Sequence, residues 1–187
     1  SIGYHNYKFE RNENLLNVTS LMNFKITKLG LDLYSYTGTT EEEYQENQLI
    51  NFLSNTNQNK KIKNTKIIFD KKINKLIISG SENQLTSPKE YTVGTWWNHE
   101  IIQAKAQISA VSGRIIDQKV SFLGKEQINL YGKNYNALHF NFSSTDQSLP
   151  ENKKLNINVW YEEETNIWLK ASFDKTGHWE YMLKNIN

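Results

Sequence analysis

The chain has 187 residues, enough for one domain or two small ones, and 37% apolar with 12% aromatic residues gives material for a packed core. Twenty-two Lys and Arg against 20 Asp and Glu leave a net charge of +2, and only Arg11 and Arg114 are arginine, a poor stock for reading phosphates or bases. The absence of cysteine excludes disulfides, a thiolate nucleophile and Cys-ligated metal, and apolar runs stop at three residues, as in Leu76-Ile77-Ile78, far short of a membrane-spanning helix.

Alternation with a period of two runs through most of the chain and predicts strands. Residues 2–11 set Gly3, His5, Tyr7 and Phe9 against Tyr4, Asn6 and Lys8. After turn residues at Asn12-Glu13-Asn14, residues 15–29 form a long strand with Leu16, Val18, Met22, Phe24 and Ile26 mostly on one face. Gly30 breaks it, and residues 31–40 return with Leu31 and Leu33 on the face opposite Tyr34 and Tyr36. Further strands are expected over 48–56, 63–70 and 75–80. A polar stretch follows, with Pro88 and no apolar periodicity, and predicts a long loop near 81–94 or an internal boundary.

The second half resumes at Trp96-Trp97-Asn98-His99-Glu100, where helical spacing of Ile101, Ile102, Lys105 and Ala106 competes with a strand. At most one short helix is expected, near 98–106. Ser112-Gly113 punctuates, and strands are expected over 114–123, 126–131 and 135–144, with three more to the C-terminus. Short connections predict an all-β antiparallel meander, a barrel or strongly curved sheet, as a single β domain over 1–187.

Three of the five tryptophans fall in the last 28 residues. Parity places Leu155, Ile157, Val159, Tyr161, Ile167, Leu169, Ala171, Phe173, Trp179, Tyr181 and Leu183 on a core face. Lys175-Thr176-Gly177 suits a three-residue hairpin that sets Phe173 opposite Trp179 and Asp174 opposite His178. The other face carries Asn158, Trp160, Trp168, Lys170, His178 and Glu180. Trp160 stands beside Trp168 or beside Lys170, according to whether the loop centres on Glu164 or Thr165, and either pairing is favourable.

Three stretches carry a resemblance: Ile2-Gly3-Tyr4-His5, Trp97-Asn98, and Val159-Trp160-Tyr161-Glu162 followed by a turn, an apolar strand and Glu180-Tyr181. In these the chain resembles a family of exported alphaproteobacterial all-β proteins of unknown function. Glu162 and Thr165 stand where that family usually has Asp and a turn glycine. The resemblance implies an extracytoplasmic β domain, periplasmic or secreted after removal of a signal peptide, and transfers no catalytic residues.

Chemistry-bearing motifs are sparse. The nine glycines form neither a dinucleotide nor a phosphate loop, no serine sits in a nucleophile elbow, and His5, His99, His139 and His178 lack metal-ligand spacing. Two Asn-x-Ser/Thr acceptor patterns among 24 asparagines carry little weight. No metal and no cofactor are expected. The leading expectation is a non-catalytic, extracytoplasmic binding protein for an apolar or amphipathic small molecule or lipid. Trp160, Trp168, Trp96 and Trp97 would line its site with Tyr4 and Tyr36, under a lid formed by residues 96–106. The alternatives are an envelope protein-interaction module, or a hydrolase or isomerase pairing His99 or His178 with a carboxylate.

Overall fold

A computed structural model describes residues 2–80, 84–174 and 177–186. Among these the strands form two seven-stranded meanders in which sequence neighbours pair, and every registered pair is antiparallel. The chain is therefore all-β. It divides into two compact units, residues 1–91 with 108–114 and residues 92–107 with 115–187.

The first sheet comprises β1 (Gly3–Asn12), β2 (Leu15–Lys28), β3 (Leu31–Gln45), β4 (Gln48–Gln58), β5 (Lys61–Asp70), β6 (Lys75–Ser79) and β7 (Gln84–Pro88). Its packed face follows the predicted parity. Val18, Phe52, Ile67, Leu76 and Ile78 are fully buried. A row of hydroxyls, Ser20, Thr40, Ser54 and Thr65, crosses four strands beside them. Ser20 and Thr40 satisfy one another at 2.7 Å, and Ser54 donates to the carbonyl of Ala110. Residues 108–114 press against this face so closely that a Cβ on Gly80 would stand 2.2 Å from the Ser112 carbonyl.

The polar stretch expected as a long loop near 81–94 holds two strands instead. Gln84 to Pro88 pair with β6, with Ser87 buried against Leu76, while residues 81–83 lie outside the described residues. Backbone pairing needs no apolar periodicity, so hydropathy could not reveal this strand. The boundary between the two units falls just beyond it, between Tyr91 and Thr92.

The second sheet comprises β8 (Thr92–Val93), β9 (Ala106–Ile108), β10 (Ile115–Leu130), β11 (Lys133–Ser144), β12 (Asn156–Glu162), β13 (Trp168–Asp174) and β14 (His178–Met182). The helical tendency of residues 98–106 yields one 3-10 turn, His99–Ile102, capped by the Asn98 side chain accepting from the Glu100 N–H. The strands expected over 114–123 and 126–131 are one strand, β10, kept continuous by a register shift between Phe122 and Gly124. Phe173 faces Trp179 and Asp174 faces His178, as parity required. The turn that joins them includes Lys175 and Thr176, which lie outside the described residues.

This sheet is packed on both faces. One collects Ile101, Phe142, Leu155, Val159, Tyr161 and Ala171, and the other Leu130, Ala137, Trp160 and Leu169. Aromatics on both faces of the C-terminal strands thus have a structural cause in this unit.

Candidate functional site

Trp160 is 8% exposed, so its ring is closed off. The stacked imidazole of His139 lies 4.1 Å away, centroid to centroid, and the Lys170 ammonium stands 5.0 Å from the ring centroid. Its Nε1–H donates to Glu126 Oε1 at 2.5 Å. The same carboxylate oxygen meets His139 Nδ1 at 3.0 Å, and His139 Nε2 meets Asn158 Oδ1 at 3.2 Å. Lys170 continues the row to Glu180, which lies 3.6 Å from His178 Nε2.

A polar network thus crosses β10 to β14 around one indole. The His139–Glu126 pair has the composition of an acid–base dyad, but both imidazole nitrogens are engaged within the sheet. A base needs a nitrogen facing the proton it takes, so the pair reads as a clamp on Trp160. Sequence reasoning missed it. The Tyr131-Gly132 turn holds the signal, because counting back from it sets Glu126 opposite Ala137, diagonal to His139 on one face.

Trp168 does not join Trp160. β13 carries an extra residue between the Trp160–Lys170 and Tyr161–Trp168 pairs, and this bulge reverses the parity beyond it. Leu169 therefore packs with Trp160, while Trp168 packs with Tyr161, the reverse of the expected faces. Of the two pairings left open for Trp160, the structure has the one with Lys170.

The lid expectation changes with it. Residues 96–102 lie against the Tyr161 face, with Ile101 fully buried and Tyr161 Oη donating to the Trp96 carbonyl at 2.8 Å. Burial pushes the Tyr161 phenol far above its ordinary pKa, so it serves there as a neutral donor. Trp96 stacks on Trp168 at 6.5 Å and meets Tyr181 edge-on at 6.2 Å, and Tyr181 stacks on Phe173 at 6.2 Å. All four rings are half-buried. Trp168 Nε1 is buried and has no hydrogen-bond partner among the described residues. An indole N–H in that state has lost its water without replacement, a cost of about 1–3 kcal/mol. Trp97 is half-buried in the same segment.

The remaining predicted site residues lie in the first unit and on opposite faces of its sheet. Tyr4 points outward, 51% exposed. Tyr36 lies on the packed face, stacked on Phe24 at 5.2 Å, with its ring so near Gly38 that a Cβ there would stand 3.0 Å away. Burial raises the Tyr36 hydroxyl to about 12 and lowers His5, which stands on the same face, to about 4. Two surface depressions of about 390 and 400 Å³ lie in this unit, at the β1–β2 turn and across β4 to β6, and no tryptophan lines either.

The histidines weighed for catalysis lie on the surface. His99 stands 3.9 Å from Glu100, both exposed, and His178 meets Asp174 at 2.9 Å on the last hairpin. Hydrogen bonding to Asp174 raises the His178 pKa. Among the described residues no group of three or more His, Asp or Glu side chains is arranged to hold a metal ion.

The fold is similar to a crystal structure from Brucella abortus described as a beta-barrel-like protein of domain of unknown function DUF1849. The TM-score is 0.65 at 12% identity, covering 97% of this chain and 86% of that one. No curated protein sequence matches. Residues 1–184, nearly the whole chain and all three resembling stretches, match the domain of unknown function DUF6134, and the protein belongs to that family.

Proposed function

We propose that this chain is a non-catalytic binding protein for an apolar or amphipathic small molecule, working outside the cytoplasm. The observation that supports it is the partnerless Nε1 of Trp168 within the row Trp96, Trp168, Tyr181 and Phe173. Half-buried aromatic rings supply apolar contact, and one unsatisfied donor supplies orientation, the combination that small-molecule sites use. An amphipathic ligand carrying a carbonyl or carboxylate would relieve the buried N–H while its tail covers the rings. Such a site would be a row of rings on one unit, with Trp160 outside it.

Native mass spectrometry of gently purified protein, joined to fluorescence titration with fatty acids and retinoids, tests the reading. The expected result is a retained adduct and tryptophan quenching that Trp168→Phe weakens about tenfold and Trp160→Phe leaves in place. Absence of any adduct and of any quenching rejects it. Export is tested separately, by fractionating cells that make the complete gene product: recovery in the cytosol alone rejects that part.

A further inference from the structure

The β2–β3 hairpin outruns its neighbours. Lys25 N–H donates to Ile2 O at 2.9 Å where β1 begins, and on the other side Ser35 N–H donates to Asn59 Oδ1 at 2.8 Å where β4 turns into β5. Between those limits, residues 26–34 form strand pairs with one another alone among the described residues, although the Tyr34 ring reaches back to Phe24. At about 3.3 Å per residue the ribbon reaches roughly 13 Å beyond the sheet. Its end is apolar and open to water: Leu29 is 94% exposed, Leu31 69% and Leu33 57%, and Ile62 at the same end of the sheet is 73% exposed.

Leu29 is there for neither the turn nor the core. It has φ 52° beside Gly30 at φ 77°, a two-residue turn that favours Asn, Asp or Gly, as the β4–β5 turn has Asn59 at φ 51°. A leucine in left-handed backbone with its side chain in solvent serves nothing inside the fold. The surrounding charge is predominantly positive. Residues 24–36 and 57–63 hold five lysines and a single acid, Asp32, which Lys25 engages at 2.7 Å. The remaining acids of β3, Glu41, Glu42 and Glu43, stand at its far end.

We propose that the Leu29–Leu31–Leu33 tip docks this chain on an anionic phospholipid surface, the leucines entering the interfacial region while Lys60 and Lys61 remain among the headgroups. Charge selects this occupant over a second copy of the chain, whose equivalent tip would bring its lysines against these. The surface involves none of the residues of the aromatic row in the other unit, so either proposal can fail alone.

Vesicle flotation tests it, with phosphatidylcholine alone and with an equal mixture of phosphatidylcholine and phosphatidylglycerol. The intact chain is expected to float with the anionic vesicles and to stay behind with the neutral ones. Leu29→Asp/Leu31→Asp should lower partitioning at least about tenfold, and Lys60→Glu/Lys61→Glu about tenfold, with unchanged far-ultraviolet circular dichroism. Leu31→Trp gives a direct report, a blue-shifted emission on adding anionic vesicles. No flotation of the intact chain, variants that float as it does, or an emission of the Leu31→Trp variant that stays put overturns the proposal. So does a concentration-dependent dimer that Leu29→Asp/Leu31→Asp abolishes without any vesicle binding, because that result assigns the tip to a second copy.

Discussion

Trp160 and Trp168 stand eight residues apart on paired strands, and the fold treats them in opposite ways. Trp160 has a ring on one side, an ammonium on the other and a carboxylate on its N–H. Trp168 has ring neighbours and a buried N–H that nothing accepts. One inserted residue in β13 makes the difference, by sending Trp168 through the sheet to the Tyr161 side. An aromatic pattern marks where burial is strong. Hydrogen-bond accounting then separates the finished environment from the one that a ligand could complete.

The contrast breaks first on stability. Trp160→Ala should cost about 3–5 kcal/mol, read as a fall in the guanidinium chloride midpoint, since the site has neighbours on every side and little room to collapse. A cost below about 1 kcal/mol would mean the ring is dispensable and the clamp is decoration. Trp160→Phe should lose far less, because Glu126 is partly exposed and water can replace the indole donor.

Histidines show the same division between buried and served. Burial lowers His5 from 6.5 to about 4, while the hydrogen bond to Asp174 raises exposed His178. Between pH 6.5 and 4 the unfolded chain binds a proton at His5 that the folded chain refuses. Stability therefore falls as pH drops through that window, by up to about 3 kcal/mol, and His5 adds no slope above it. His178 has the reverse sign: its contribution is complete below pH 6.5 and fades as pH rises past its raised value, weakly because the pair is in solvent. Denaturation midpoints of His5→Gln against the parent should show a flatter acid limb. Carboxylates held low, such as Glu162 under Thr165, steepen both proteins equally. An unchanged limb in the variant would place His5 in water. Proton NMR titration should find the two midpoints on opposite sides of 6.5.

Much of this was legible in the residues, and the misses share one cause. Period-two alternation located the strands and the Phe173–Trp179 register, because a half-buried strand must alternate and a short turn fixes the pairing. Parity failed where the count of residues was broken, at the Leu169 bulge, which left Trp168 on the wrong face. The reading failed again at β7, where Leu85 and Ser87 share a face yet the buried one is the serine, so no apolar repeat announces the strand. The His139–Glu126 contact was readable from the Tyr131-Gly132 turn, yet the histidines singled out were His99, beside Glu100, and His178, opposite Asp174. Proximity along a strand is a poor guide, since adjacent residues face opposite ways.

Lys170→Met trims the Trp160 environment by a smaller amount. It removes the cation over the ring and the contact to Glu180, together worth about 0.5–1.5 kcal/mol in a partly exposed pair. If the loss equals that of Trp160→Ala, the two side chains act as a single unit, and a double-mutant cycle would show their coupling.

Trp168→Phe has the smallest effect on stability and separates the two tryptophans most sharply. Phenylalanine can keep a stacked contact with Trp96 while deleting the donor that has no acceptor. Loss of a satisfied hydrogen bond destabilises, whereas loss of a stranded one returns its desolvation cost and can offset the smaller ring. The expected change is within about 1 kcal/mol of zero, against several for Trp160→Ala, measured on matched unfolding curves. A loss above about 2 kcal/mol would show that the Trp168 N–H has a partner in solution, and the distinction between the two indoles would vanish. A near-neutral result accompanied by weaker quenching on lipid titration would mean that the stranded donor does its work only when a ligand is bound.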